Sequence, residues 1–140
     1  MRRLLGLFLT LLTFPALAQV GPPPTTQASI AINVSTATTT QLVAALTLSN
    51  ATRIYVTGWD VVAGGTGNFS FVSGTGSNCG TGQVALTGTY NLTAQNGLAR
   101  GSGWGAVLVV PLTSTGAPQA LCIVTSAAVQ YSGSLAYAQY

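Results

Sequence analysis

Lysine, glutamate and histidine are absent from this 140-residue chain, and charge is confined to four arginines and one aspartate. The charged positions are Arg2, Arg3, Arg53, Asp60 and Arg100. Each absence removes a class of chemistry. Without histidine there is no Ser-His-Asp or Cys-His relay. Asp60 alone cannot supply the two carboxyl groups that glycoside hydrolysis normally uses. A phosphate-binding P-loop needs a lysine, and neither Gly74–Gly82 nor Gly101–Gly105 fits a dinucleotide-binding glycine pattern. Two cysteines and one aspartate, far apart in sequence, make no metal-ligand set, and no Cys-x-x-Cys motif occurs. The general acid–base groups of most enzymes are missing, so the chain reads as non-enzymatic, without cofactor or metal.

The formal net charge of +3 is concentrated at the N-terminus. Removing Arg2 and Arg3 leaves two arginines against Asp60, too few to neutralise a nucleic-acid backbone or to bind an anionic membrane surface. Hydrophobic residues nevertheless make up 48% of the chain, which excludes disorder on grounds of composition. The polar remainder is mainly Thr, Ser, Asn, Gln and Gly, so the surface is one of neutral hydroxyls and amides.

Residues 1–18, MRRLLGLFLTLLTFPALA, have the form of a secretory signal peptide. Arg2 and Arg3 are the basic region, Leu4 to Phe14 the apolar run, and Ala16-Leu17-Ala18 the small-residue cleavage site. That run is shorter than the roughly 20 apolar residues of a spanning helix. Cleavage between Ala18 and Gln19 is expected. It would leave no transmembrane segment and place the protein outside the cytoplasm, secreted, periplasmic or on the extracellular surface. Cys79 and Cys122 are the only cysteines, and an oxidising compartment favours their pairing. Such a bridge closes a loop of about 44 residues and contributes on the order of 4 kcal/mol in the chain-entropy model.

Residues 19–28 contain three consecutive prolines and form a leader, either a polyproline-like spacer or a disordered terminus. Residues 29–140 make one domain. Ile30, Ile32 and Val34 alternate with small or polar residues, as in a half-buried strand. The segment 53–62 is the strongest strand, with Ile54 and Val56 on one face and Tyr55, Thr57 and Trp59 on the other. Further strands are expected at 69–72, 84–92 with a bend at Gly88, 106–112, 120–126 and 134–140. Segment 41–48 is ambiguous between strand and helical turn, and 95–105 reads as a Gly-rich connection. About eight short strands separated by Gly, Asn and Pro predict an all-β antiparallel sandwich or barrel. The strands are too short for an eight-stranded outer-membrane barrel.

Natural sheets guard their edges with lysine and other charges. This chain has no lysine with which to do so, which points to edges covered by self-association or broken by Gly and bulges. Trp59 belongs in the core. Trp104, between glycines, is a candidate ligand contact together with Arg100 and Tyr131, in a surface that would suit a sugar ring. Asp60 is expected in an ion pair with Arg53 or Arg100, or in a turn hydrogen bond.

Four stretches carry a resemblance: 38–46 (TTTQLVAAL), 53–82, 86–90 (LTGTY) and 120–140 (ALCIVTSAAVQYSGSLAYAQY). Together they resemble small, uncharacterised proteins encoded by tailed phages, prophages and their bacterial hosts. The resemblance spans most of 29–140. Its most specific parts are the Gly-Thr-Gly…Cys-Gly and Ala-Leu-Cys segments, which hold Cys79 and Cys122. It implies a virion- or surface-associated jelly-roll sandwich that trimerises, and no catalytic residue. The signal peptide departs from that picture, because tailed-phage structural proteins usually assemble in the cytoplasm. It favours an exported host protein on the same scaffold, or a phage gene acting at the cell envelope. The expected function is that of a surface, fibre or virion-decoration module that self-associates and presents Gly-rich loops. The alternative is a glycan-binding or adhesin module at the envelope, with cell-surface or virion components as further partners.

Overall fold

The computed structural model describes residues 27–46, 52–101 and 105–140. The expected signal peptide, the Ala18–Gln19 cleavage site, nearly all of the leader, and Trp104 lie outside the described residues. Within them the chain forms ten strands: β1 (Ala28–Val34), β2 (Thr39–Val43), β3 (Ile54–Ala63), β4 (Gly67–Thr75), β5 (Thr81–Ala85), β6 (Tyr90–Leu92), β7 (Gly97–Gly101), β8 (Leu108–Val109), β9 (Ala120–Thr125) and β10 (Tyr131–Gln139). A single 3-10 turn, Ser77–Cys79, lies between β4 and β5.

All pairings are antiparallel, and they have a simple logic. The chain runs out and back as one long ribbon, with β1 paired to β10, β2 to β9, β3 to β7 and β8, and β4 to β5 and β6. The turn at Ser77–Cys79 is the tip of that ribbon. Rolling the ribbon up adds β10 to β3 and β9 to β4. Two five-stranded sheets result, one ordered β1-β10-β3-β7 with β8 also on β3, the other β2-β9-β4-β5 with β6 also on β4. This is the jelly-roll sandwich, whose eight strand positions become ten because two of them are broken. One break falls at the expected bend near Gly88, between β5 and β6. The other separates β7 from β8.

The main core lies between the sheets and is filled from both inner faces by Ile, Val, Leu and aromatic side chains. Fully burying one such side chain contributes about 1.5–3 kcal/mol. Its centre is an aromatic cluster. The Trp59 ring meets Phe69 at 5.7 Å, Phe71 at 5.2 Å and Tyr90 at 5.6 Å between centroids, the two phenylalanine contacts edge-on. Trp59 is in the core as expected, but the alternation that placed it opposite Val56 does not hold. The register of β10 steps from Ala136↔Gly58 to Tyr137↔Val56, leaving Thr57 as the extra residue of a β-bulge. The bulge shifts the phase, so Trp59 and Val61 join Ile54 and Val56 on the inner face.

Two glycines are required by close approach. A Cβ on Gly67 would collide with the Tyr131 hydroxyl, and a Cβ on Gly133 would enter the Asp60 backbone carbonyl. Both sit where the ribbon has been rolled against itself.

Two expectations change. Residues 97–101, read as a Gly-rich connection, form β7, because pairing with β3 overrides a weak local preference. The strand expected over 106–112 shrinks to Leu108–Val109. Backbone bonds from Val107 to Val56 and from Val110 to Ile54 extend its contact with β3 on both sides.

Candidate functional surface

The roll gives the molecule two unlike ends. One holds the start of β1, the end of β10, the ribbon tip and the 111–119 connection. The other holds the short turns at 35–38, 64–66, 93–96 and 126–130.

At the first end, Cys79 and Cys122 are joined in a disulfide with their Cα atoms 6.3 Å apart. The bridge lies on the outer face of the second sheet. There Val72, Cys79, Ala120 and Cys122 form a satellite core, flanked by Ala45 and Val124. The ribbon tip reaches this face because its backbone turns left-handed at Gly76, Asn78 and Cys79, with φ of 74°, 50° and 54°. Left-handed backbone costs about 1–2 kcal/mol at an ordinary residue such as Cys79. Two bonds hold it there: the disulfide, and the Gln41 N–H donating to Asn78 Oδ1 at 3.1 Å.

The second end is a polar network closed on itself. Gly64 N–H donates to the Gln130 carbonyl at 2.7 Å, and Gln95 N–H to the Ala63 carbonyl at 2.7 Å. Gln130 Nε2 donates to Asn33 Oδ1 at 2.7 Å, and Asn96 Nδ2 to Thr93 Oγ1 at 2.6 Å. The Asn68 N–H donates to Ser126 Oγ at 2.9 Å, and the Thr125 hydroxyl donates to the Thr36 carbonyl at 2.5 Å. Neutral amides and hydroxyls thus fix these turns without a charged group.

Of the sequence-derived contacts, the two within the described residues, Arg100 and Tyr131, do not come together. Arg100 is exposed on β7, opposite Trp59 in the ladder. Tyr131, expected at an accessible surface, is fully buried, and its phenol donates to the Asn68 carbonyl at 3.2 Å. Its position on the inner face of β10 decides this, since rolling covers that face. Trp104 lies outside the described residues. Among the described residues Asp60 forms no ion pair with Arg53 or Arg100. Its carboxylate accepts from the Ser134 hydroxyl across the β3–β10 ladder.

An aromatic feature was not anticipated. Tyr55 and Tyr140 stack with centroids 4.4 Å apart and planes 12° from parallel. Tyr140 is 56% exposed, and Val109, directly opposite Tyr55 in the ladder, is 41% exposed. The pairing of Arg53 with Tyr140 through two backbone bonds, at 3.0 and 3.3 Å, sets the stack. Only the sheet topology brings these residues together, since 85 positions separate the two tyrosines in sequence.

Among the described residues no cluster of metal-ligating side chains forms, and no helix is long and apolar enough to cross a membrane. No protein-family model and no curated protein matches the sequence. Two solved structures align with it. The T13 viral particle of infectious bursal disease virus aligns at a TM-score of 0.47 and 20% identity, over 80% of this chain and 30% of that one. The Gx strain of the same virus aligns at 0.37 and 16%, over 79% and 32%. The chain therefore spans about a third of the length of either viral chain.

Proposed function

We propose that the protein is an exported, non-enzymatic structural module that self-associates and presents its polar turns outward. The observation that supports this most is the difference between the two ends. Strand β1 begins and β10 ends at the end that carries the covalent staple, and the opposite end displays turns already fixed by their own hydrogen bonds. A scaffold of this kind positions a surface without needing to move. Its neutral exterior suits contact with other neutral surfaces, including further copies of itself.

The test is to express the full chain with its N-terminal segment in a bacterial host. The mature protein is expected outside the cytoplasm with Gln19 as its first residue. It should sediment with the envelope or with particles. Recovery of an uncut, cytoplasmic protein would overturn export, and recovery as a free monomer in the medium would overturn the structural role.

A second function, glycan binding, is favoured by the Tyr55–Tyr140 stack. An exposed aromatic face beside Val109 has the form that stacks on the apolar face of a sugar ring. Glycan-array binding that is lost in Tyr140→Ala would support it; no binding on the array would remove it.

A further inference from the structure

The sandwich has four lateral edges, and three of them are blunted. The edge at β2 is interrupted by a register shift between Gln41 and Val43, and Asn78 takes up the Gln41 N–H. The edge at β5 carries a register shift between Ser73 and Thr75 on its partner, and Gly82 within it is left-handed at φ 61°. The edge at β7 and β8 consists of pieces of five and two residues. Bulges, breaks and short strands are the usual means of preventing edge-to-edge pairing.

The fourth edge has none of them. Strand β1, ASIAINV, runs seven residues in unbroken register with β10 and contains no charge, proline or glycine. Its hydrogen-bonding parity follows from the ladder on the far side of β10. Gly64 donates to the Gln130 carbonyl, and Arg53 and Tyr140 exchange two bonds. Even-numbered residues of β10 therefore turn their backbone toward β3, and odd-numbered ones toward β1. The register Tyr131↔Val34, Gly133↔Ile32, Leu135↔Ile30 and Tyr137↔Ala28 then points those four residues of β1 at β10. Ser29, Ala31 and Asn33 turn their N–H and C=O groups outward, away from the sheet.

We propose that this edge pairs with the β1 edge of a second copy, antiparallel about a two-fold axis at Ala31. The strand is self-complementary in that register. Ala31 faces its own equivalent, Ser29 faces Asn33, Ile30 faces Ile32, and Ala28 faces Val34. Inner-face residues meet inner-face residues, so the two cores join edge to edge. The outer face brings together only small neutral side chains, with no like charges to separate them. Each of Ser29, Ala31 and Asn33 exchanges both of its outward bonds with the partner. The inference rests on the self-association proposed above and gives it a surface and a two-fold symmetry, in place of the trimer implied by the resemblance.

The test is amide hydrogen exchange, resolved by residue, combined with mass by light scattering. In the wild-type protein the Ser29, Ala31 and Asn33 amides should exchange as slowly as those of Ile30 and Ile32, in particles of twice the chain mass. Ala31→Lys places two ammonium groups at the two-fold, and Ala31→Pro removes an outward donor while leaving the bonds to β10 intact. Either should halve the mass and open the three amides, while Val84→Lys on the β5 edge leaves both unchanged. If Ala31→Pro fails to fold, Ala31→Lys and the wild-type exchange pattern still decide. A folded Ala31→Lys variant that keeps its mass would overturn the pairing. So would assemblies in which the three amides exchange fast, although self-association would then survive on another face. A monomer with slow amides would mean that the chain's own leader covers the edge. A monomer with fast amides would overturn the pairing and the self-association together.

Discussion

The main core and the satellite core solve the same problem with different means. Between the sheets, large side chains from both inner faces interlock, and the Trp59 cluster meets edge-on. On the outer face of the second sheet the buried apolar side chains are those of Val72, Ala120 and the two cysteines, and among the described residues no second sheet covers them. Four small residues cannot hold a left-handed ribbon tip by burial alone. The covalent bond substitutes for the missing layer. The difference shows where a β-sandwich needs a staple: at the tip of the rolled ribbon, where there is backbone to fix and little apolar area to fix it.

Substitutions can separate the two regions. The largest effect is expected from Phe71→Ala, which empties the centre of the main core. It should cost about 3–5 kcal/mol, measured by denaturant unfolding, and leave the protein poorly folded at ambient temperature. A cost below about 1 kcal/mol would mean that the aromatic cluster is not the centre of stability.

Replacing both cysteines with alanine should cost about 2–5 kcal/mol. Unlike the core substitution, it should open the structure locally first. Exchange should rise at residues 76–85 and at Gln41 before the β3–β10 ladder responds. Uniform acceleration across both sheets would show that the satellite core is not a separate region.

Gly67→Ala presses a methyl group into the Tyr131 hydroxyl and should cost about 1–3 kcal/mol. Tyr131→Phe removes that hydroxyl and its bond to Asn68, which should cost about 1 kcal/mol alone. The double variant should be more stable than the sum of the two losses predicts. Strict additivity would contradict the contact. The smallest effect is expected at the surface. Asp60→Asn should change unfolding stability by less than about 1 kcal/mol, because a partly exposed hydrogen bond to Ser134 contributes little.

Much of the architecture was legible in the sequence because it depends on alternation and punctuation. Ile30, Ile32 and Val34 alternate and form β1, and the turn residues near Gly88 mark a real break. What the alternation could not show was the Thr57 bulge, since an extra residue in one strand is defined only by the register of its partner. Strand β7 was missed for a similar reason: GLARG has little strand character of its own and is ordered by β3. The surface was less legible than the fold. Tyr131 looked like an accessible aromatic, but the rolling of β10 buries it. The Tyr55–Tyr140 stack and the unguarded β1 edge emerge only when distant segments are laid side by side.

The most direct measurement is the mass of the secreted, mature protein in solution, by light scattering under non-reducing conditions across a concentration series. A module that closes its one regular edge on a second copy should appear as a dimer or an even multiple of it. A single-chain mass at every concentration would contradict the account.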